Sequence, residues 1–306
     1  MAITLDQPEI FGDTSGVLGG RDHAENQVLT LGISEGFGTL IGDASLIRGR
    51  ASGGNDTLTS GTLGPNVVIG DAITITDRGR GGDDHVLAMS HGGCIALGDA
   101  LMLNERARGG NDSVEASANS DVIAYGDAET MSGSAKGGND MVTGRSSFGN
   151  VQVYGDAQTL SGSAAGGNDT LIVGIAFPGQ GTQMYGDGAD LLDRSKGGND
   201  VLISAQSVND RMWGDAAVVA PTAKTGADTF IFGPFNGRDT ILDFQSGKDH
   251  IQLRDFGFTS FDDVASHLQS TSDGAVIAFD TMSFGVQDSI LVVGVAQLGA
   301  SDFILS

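Results

Sequence analysis

The sequence predicts an all-β protein, a right-handed parallel β-solenoid (a β-roll or β-helix) of about seven 28-residue coils with a C-terminal β-rich cap. Three observations predict it: a Gly-Asp pair recurs every 28 to 31 residues, a GGND or GGDD block follows six of the seven pairs at a fixed distance, and apolar residues recur at three positions of each repeat. Glycine (49 of 306 residues) is abundant and proline (5) is rare, which excludes collagen and proline-rich disorder. Because one such repeat cannot bury its apolar face alone, neighbouring repeats must stack.

The repeats follow one another along the chain with one constant internal spacing. The Gly-Asp pairs begin at Gly42, Gly70, Gly98, Gly126, Gly155, Gly186 and Gly214. The blocks begin eleven residues later, at Gly53, Gly81, Gly109, Gly137, Gly166 and Gly197, and the seventh is a degenerate TGAD at residues 225–228. Length variation therefore falls only between a block and the next Gly-Asp pair.

Three apolar columns predict three short inward-facing strands per coil. The first column contains Leu40, Val68, Ala96, Ala124, Val153, Met184 and Met212. The second contains Ile47, Ile75, Leu103, Met131, Leu160, Leu191 and Val219, and the third contains Leu58, Val86, Val114, Val142, Leu171, Leu202 and Phe230. Neighbouring strands of the three sheets would lie about 4.8 Å apart and enclose one continuous core.

The repeat resembles the calcium-binding nonapeptide GGxGxDxU of RTX (repeat-in-toxin) proteins, in which U is a large apolar residue. Here the nonapeptide is split: Gly70-Asp71-Ala72 matches its first half, residues 82–86 match its second half, and an insert of eight residues, 73–80, lies between them. The resemblance covers about residues 40–230. It implies that the repeats bind several Ca²⁺ ions.

Stacking would align two columns of aspartates. The first column is Asp43, Asp71, Asp99, Asp127, Asp156, Asp187 and Asp215, and the second is Asp56, Asp84, Asp112, Asp140, Asp169, Asp200 and Asp228. Carboxylates about 4.8 Å apart repel by about 1 kcal/mol in water and by more at lower dielectric. A Ca²⁺ ion held by these carboxylates and by glycine-loop carbonyls would turn that repulsion into a cross-link. The alternative, ordinary Asp-Gly turns, does not require aspartate at two fixed positions of every coil.

Eight further residues are predicted metal ligands. Six precede the second aspartate column and two lie in the C-terminal segment: Asn55, Asp83, Asn111, Asn139, Asn168, Asn199, Asp239 and Asp249. The turns on the other side of the coil, such as residues 60–66 and 88–93, mostly lack aspartate. We therefore expect the ions along one edge of the solenoid.

The C-terminal segment resembles the module that follows RTX repeats in serralysin-type proteases. The similar blocks are residues 228–232, 237–244 and 247–251, and residues 302–305 resemble the acidic-then-apolar tail of type I secretion substrates. The resemblance implies an uncleaved export signal, type I secretion machinery as a partner, and a secreted, extracellular or cell-surface location. The expected domains are an N-terminal cap (1–39), the calcium-binding solenoid (40–228) and the C-terminal cap and secretion module (229–306).

Charge and composition exclude several classes of protein. The net charge of −23 excludes a nucleic-acid-binding surface, because phosphates require a basic one. Cys94 is the one cysteine, so the chain forms no intrachain disulfide. Residues 1–11 show no Sec signal peptide, and the longest apolar stretch, 290–296, is too short for a transmembrane segment.

Two further columns are candidate ligand-binding surfaces. The residue before each Gly-Asp pair becomes aromatic in the later coils, at Tyr125, Tyr154, Tyr185 and Trp213. These rings would face outward and stack on sugar rings, or else cover the sheet. The inserts carry ten of the 16 basic residues, among them the candidate ligand-binding residues Arg78, Arg80, Arg106 and Arg108. They would form a groove for an acidic polysaccharide, or else balance the aspartate edge.

The function that the sequence favours is a secreted calcium-binding solenoid with a binding or structural role, in an extracellular matrix, a surface layer or adhesion. No HExxH, nucleophile-elbow or P-loop motif is present. The alternative is a polysaccharide-modifying enzyme, a uronate-polymer lyase or C5-epimerase, because parallel β-solenoids host such enzymes. Its candidate catalytic residues would be Tyr125, Tyr154, His85, His91 and Arg108.

Overall fold

The computed structural model describes residues 9–32, 37–174, 181–206 and 208–305 of the 306-residue chain. Strands follow one another in sets of three, and each set forms one coil. The first four coils are β1 (Glu9–Phe11), β2 (Thr14–Leu18), β3 (Val28–Leu31); β4 (Gly38–Ile41), β5 (Ala44–Ile47), β6 (Thr57–Thr62); β7 (Asn66–Ile69), β8 (Ala72–Ile75), β9 (His85–Ser90); and β10 (Cys94–Leu97), β11 (Ala100–Leu103), β12 (Ser113–Ala118). The next four are β13 (Val122–Tyr125), β14 (Ala128–Met131), β15 (Met141–Ser146); β16 (Val151–Tyr154), β17 (Ala157–Leu160), β18 (Thr170–Val173); β19 (Gly181–Tyr185), β20 (Gly188–Leu191), β21 (Val201–Ile203); and β22 (Asn209–Trp213), β23 (Ala216–Val219), β24 (Thr229–Phe232).

Each coil adds one strand to each of three parallel sheets, which confirms the predicted β-solenoid. Sheet 1 runs β1-β4-β7-β10-β13-β16-β19-β22, sheet 2 runs β2-β5-β8-β11-β14-β17-β20-β23, and sheet 3 runs β3-β6-β9-β12-β15-β18-β21-β24. Residues at the same repeat position are partners in the ladder, for example Ala96 with Val68 and Ala124. The repeat spacing in the sequence therefore equals the register of the sheets.

The described chain has eight complete coils, one more than the seven that the sequence shows. The additional coil, residues 9–31, lies within the predicted N-terminal cap, of which residues 1–8 and 33–36 are outside the described part. It begins with a Gly-Asp pair at Gly12, but Ala24 and Glu25 replace the two glycines of the block, and β2 contains a register irregularity. These differences hid the coil from the repeat pattern.

The apolar columns form two cores, not one. The columns of Leu40 and Leu58 pack against each other between sheets 1 and 3 in the main core. The column of Ile47 instead packs with Ala44 and Ala51 in a second, smaller core. The insert (residues 45–52 in the second coil, with its equivalents), together with the alanine that precedes it, thus forms a separate lobe, which we call the insert lobe. The prediction of three strands per coil is confirmed, whereas the prediction of one continuous core is wrong.

The C-terminal segment extends two of the three sheets. Its elements are β25 (Arg238–Ile241), β26 (His250–Leu253), α1 (Phe261–Ala265), β27 (Leu268–Ser270), β28 (Gly274–Ser283), β29 (Val286–Val293), a 3₁₀ turn (Ala300–Asp302) and β30 (Phe303–Leu305). Sheet 1 continues through β25, β29, β28 and β27, with β27–β29 antiparallel, and sheet 3 continues through β26 and β30. The part of the chain that the structure describes contains no helix that could span a membrane.

Candidate metal-binding edge

The insert lobe lies between each Gly-Asp pair and the block that follows it. The chain folds back after the lobe, so the block contacts the Gly-Asp pair. The N–H of Gly54 donates to Asp43 Oδ2 at 3.0 Å, and the N–H of Gly82 donates to Asp71 Oδ1 at 2.9 Å. The equivalent hydrogen bond closes each of the next five coils. The two halves of the split repeat are therefore in contact, as an uninterrupted nonapeptide would place them.

The second aspartate column joins each coil to the next one. The N–H of Asp56 donates to Asp84 Oδ1 at 2.7 Å, and the N–H of Asp84 donates to Asp112 Oδ1 at 2.7 Å. The same hydrogen bond repeats through the later members, Asp140, Asp169, Asp200 and Asp228. One oxygen of each carboxylate is thus used to hold the coils together.

The remaining carboxylate oxygens are buried and have no hydrogen-bond partner within the described protein. They belong to twelve of the fourteen column aspartates: Asp43, Asp56, Asp84, Asp99, Asp112, Asp127, Asp140, Asp156, Asp169, Asp187, Asp200 and Asp228. All twelve side chains are at most 4% exposed. A buried, unpaired carboxylate oxygen is costly, so each of them requires a proton or a cation.

Glycines bring carbonyl oxygens close to these carboxylates. A Cβ on Gly42 would overlap the carbonyl oxygen of Gly70 and would lie 2.5 Å from Asp56 Oδ2. A Cβ on Gly81 would overlap Asp99 Oδ1 and would lie 2.5 Å from Asp71 Oδ2. Only glycine fits such a position. The edge is thus lined by carboxylate and carbonyl oxygens, the donors that Ca²⁺ prefers.

Burial and mutual repulsion raise the pKa values of both columns. Burial, and then repulsion from the neighbouring Asp56, raise the pKa of Asp43 to about 7. Burial raises the pKa of Asp56 to about 6 and that of Asp228 to about 9. In the central coils the pKa of Asp112 is raised well above its ordinary value, first by burial and then by repulsion from Asp99. The charged form of each column is thus strongly disfavoured without a counter-ion.

Basic side chains form no salt bridge with these aspartates in the described part of the chain, although Lys248 lowers the pKa of Asp215 at the C-terminal end. Within the described part of the chain, the salt bridge is the pair Arg145–Glu115 on sheet 3, at 3.4 Å. The same residues contain no group of three or more His, Cys, Asp or Glu side chains arranged for a metal ion. A cation at this edge would therefore need backbone oxygens as ligands in addition to the two carboxylates that each coil supplies.

The six predicted ligands that precede the second column lie outside the buried edge. Asn55 Oδ1 accepts from the N–H of Asp83, and Asp83 Oδ1 accepts from the N–H of Asn111, at 3.1 and 2.7 Å. The exposed ladder continues through Asn139, Asn168 and Asn199. Its side chains pair with the next coil, and the structure does not bring them together with the unpaired carboxylate oxygens.

The two C-terminal ligand predictions lie in different places. Asp249 extends the second column, because its Oδ1 accepts from the N–H of Asp228 at 3.1 Å. Asp239 lies at the opposite corner, where the chain enters sheet 1, and its Oδ1 accepts from the N–H of Asp210 at 2.9 Å. Its Oδ2 accepts from Ser204 and Asn236, at 2.9 and 2.7 Å. The structure therefore separates Asp239 from the candidate edge.

Sequence reasoning missed Asp243, which closes the C-terminal end of the first column. Its two carboxylate oxygens accept from the N–H groups of Gly214 and Asp215, at 2.7 and 3.0 Å. Burial raises its pKa to about 7. A signal was present in the sequence, since Asp243 follows Asp215 by 28 residues, the repeat spacing, with Leu242 in place of glycine.

The aromatic column packs on itself. The ring centroids from Tyr125 to Tyr154, Tyr154 to Tyr185 and Tyr185 to Trp213 are 4.9, 4.8 and 4.5 Å apart. The four side chains are 3 to 8% exposed and form a third apolar cluster with residues such as Leu101 of sheet 2. The structure thus gives this column a packing role at the junction of sheets 1 and 2, and sugar binding by the ring faces stays a prediction.

The basic residues of the insert lobes line an open groove. Arg50, Arg78 and Arg106 occupy the same turn position in successive coils, around a volume of about 670 Å³. Asp77 and Glu105 alternate with them, both with positive φ (61° and 60°). Arg80 and Arg108 pair in the next ladder, beside the glycine blocks. The groove carries charges of both signs, with arginine in the majority.

The candidate catalytic residues do not form one site. Tyr125 and Tyr154 are buried between sheets 1 and 2, and Arg108 belongs to the ladder of the insert lobe. His85 begins β9 of sheet 3, and His91 follows the end of that strand, at the opposite corner. The lyase or epimerase hypothesis therefore gains no support from the placement of these residues.

The chain matches a protein-family model. It is described as Peptidase M10 serralysin C terminal, and it matches residues 54–305, which include the coils from β6 onward and the C-terminal segment. No curated protein matches the chain significantly. The matched region contains nearly all of the aspartate edge described above.

Proposed function

Because this chain belongs to the serralysin C-terminal family, a family of calcium-binding repeat proteins, we propose that its buried aspartate edge holds a row of Ca²⁺ ions between successive coils. The observation that carries the proposal is the set of twelve buried aspartates, each with one carboxylate oxygen that has no partner in the described protein. When bound, Ca²⁺ would supply positive charge and six to eight coordination positions. The two aspartate columns and the glycine carbonyls would hold the ions, and the second column would couple each ion to the next coil.

The ligand assignment is tested by counting bound ions. Replacing Asp127 and Asp140 by Asn in one central coil should remove at least one Ca²⁺ from the protein, because the amide lacks the charge that the ion requires. Equilibrium dialysis followed by elemental analysis measures the number of ions bound. The matched control replaces the exposed Asp262 and Asp280 by Asn, which changes the net charge equally. The proposal fails if both variants bind as many ions as the unmodified protein.

We further propose a secreted protein, exported by type I machinery through its C-terminal segment. The proposal rests on the family and on the resemblance of residues 302–305 to the tails of such substrates. Residues 229–306 fused to a passenger should carry it out of a host that has a type I exporter. The same fusion ending at residue 299, without the 3₁₀ turn and β30, should stay inside. Export of the shortened fusion would refute the role of the tail.

For the role outside the cell, we propose binding or structural support, with an acidic polysaccharide as the ligand of the insert-lobe groove. The groove supports this proposal because Arg50, Arg78 and Arg106 repeat at the coil spacing on an otherwise acidic protein. Anionic groups at regular intervals along a polymer would match this spacing. The attraction should weaken as salt increases, because the side chains are at the surface.

Retention on an immobilised alginate column tests the groove. Replacing Arg50, Arg78 and Arg106 by Ser should abolish retention at low salt. The matched control replaces three basic residues outside the insert lobes and therefore has the same net charge: Arg145, Arg238 and Arg254, each changed to Ser. Equal retention of the two variants would show that the groove does not select the polymer.

A further inference from the structure

The three sheets end differently at the C-terminal end of the solenoid. Sheet 1 is extended by β25 and the β27–β29 meander, and sheet 3 is extended by β26 and β30. Sheet 2 ends at β23, and no other strand of the described chain pairs with its outer edge. The insert lobe of the last coil therefore presents an open β edge.

The small core of the insert lobes is uncovered at the same end. Val219 occupies the column position that Ile75 and Leu191 fill in earlier coils, where the side chains are 0% exposed. Val219 itself is 39% exposed, and its neighbour Val218 is 52% exposed. The open edge thus lies beside apolar surface that is exposed. In each earlier coil, the next coil covers the equivalent surface.

Edge strands of soluble proteins are normally protected by charge, proline or a bulge. The strand β23 reads Ala-Ala-Val-Val and has none of these features within it. The other end of sheet 2 differs, because β2 contains Gly16 and has a register irregularity between Thr14 and Val17. Protection is present at one end of the sheet and absent at the other.

No strand of the described chain pairs with the outer edge of β23, and the C-terminal strands continue sheets 1 and 3 instead. The edge is therefore open to pairing with a strand from another molecule.

We propose that β23 pairs with the β23 strand of a second copy of this chain, antiparallel and about a two-fold axis. A two-fold contact is self-complementary, and it would cover both open lobe cores at once. The local charge favours it, because Lys224 is the one charged residue in the segment 216–225 of a protein whose net charge is −23. Two acidic copies would thus meet at an edge whose strand, β23, contains no carboxylate.

Head-to-tail stacking on this edge is excluded by the C-terminal segment. If β2 of another copy paired with β23, its β1 and β3 would have to follow β22 and β24. Those positions are taken by β25 and β26, which pair with β22 and β24 in the same chain. The two-fold arrangement does not require them, so a dimer and not a filament is expected.

Sedimentation velocity with Ca²⁺, from about 1 to about 100 µM protein, tests the contact. The unmodified protein should reach twice its mass of 31.2 kDa. Val218→Lys should remain a monomer, because a lysine on the edge opposes pairing. The matched control is Val17→Lys on β2, because Val17 is exposed to a similar extent (48%). This variant should dimerise, because β2 lies at the other end of sheet 2. Both side chains are about half exposed, so both variants should fold, and circular dichroism with Ca²⁺ checks this.

Three outcomes would overturn the proposal. An unmodified protein that is monomeric at every concentration would leave β23 to a different partner or to solvent. A Val218→Lys variant that still dimerises would place the contact elsewhere. Loss of the dimer in Val17→Lys as well would indicate contact through the N-terminal end.

Discussion

Removal of calcium at neutral pH should unfold this solenoid, and the structure gives the size of the effect. The first column contains seven aspartates and therefore six neighbouring pairs. At a spacing of about 4.8 Å and an effective dielectric of about 20, each charged pair repels by about 3.5 kcal/mol, or about 20 kcal/mol for the column. A typical domain is stable by only about 5–15 kcal/mol. A fully charged column is thus incompatible with the folded coils unless cations lie between the carboxylates.

Far-UV circular dichroism during a Ca²⁺ titration measures this dependence. Protein treated with chelator at pH 7.5 should show a coil spectrum, and β signal should appear as Ca²⁺ rises through about 0.1–1 mM, the range of extracellular sites. The transition should be steep, because each aspartate of the second column joins two coils and folding therefore spreads between neighbours. Mg²⁺ at equal concentration should have little effect, because it loses its water ligands reluctantly.

The reasoning is refuted if the calcium-free protein at pH 7.5 already shows the full β spectrum and its melting temperature does not change when Ca²⁺ is added. A coil spectrum that Mg²⁺ converts equally well would refute the choice of ion but not the repulsion. Folding by Mg²⁺ would show that the assumed set of Ca²⁺ ligands is wrong. A folded calcium-free protein would show that the assumed charge of the aspartate columns is wrong.

Three further predictions follow from the same edge. Acid should replace calcium: since burial raises the folded-state pKa from 3.8 to about 6 for Asp56 and about 9 for Asp228, protonation stabilises the calcium-free fold fully below about pH 4, and that stability falls as pH rises toward these folded-state values, which circular dichroism in chelator will show. Gly82→Ala should prevent or greatly weaken Ca²⁺-induced folding, because its Cβ would overlap the carbonyl oxygen of Gly54, whereas Gly61→Ala, with no atom within 4 Å, should leave the melting temperature nearly unchanged. Asp243→Ala should cost about 1–3 kcal/mol in the denaturant-unfolding free energy of the calcium-bound protein by leaving two N–H groups unpaired, and an unchanged midpoint would contradict its capping role.

The repeat pattern predicted most of the fold because the solenoid converts sequence period into spatial register. Leu40 and Val68 are ladder partners because they are one repeat, 28 residues, apart. The pattern could not tell which apolar columns share a core, because periodicity reports that a residue is buried but not what buries it. Ile47 satisfies the same rule as Leu40 and yet packs in a separate lobe.

The period of a polar side chain did not predict whether the structure buries it. Asp84 and Asp83 are adjacent and recur with the same period, but their burial differs completely: Asp84 is 3% exposed, and Asp83 belongs to the exposed ladder. Aspartate or asparagine at a fixed position is equally compatible with a metal ligand and with a side-chain ladder. Which side chains of a turn are buried and which are exposed depends on backbone geometry, and the repeat pattern does not reveal that geometry.

The ends of the solenoid show why a repeat cannot describe its own boundaries. Within the repeats, the N–H groups of the Gly-Asp pair donate to the next coil, as Asp43 does to the carbonyl of Asp71. After the last pair there is no such coil, and the carboxylate of Asp243 takes both N–H groups instead. Sheets 1 and 3 are extended by non-repeating strands, while no strand of the described residues pairs with the outer edge of β23. The residues that deviate from the period therefore determine where the stack stops, and the edge left open is the part of the molecule that remains available for another chain.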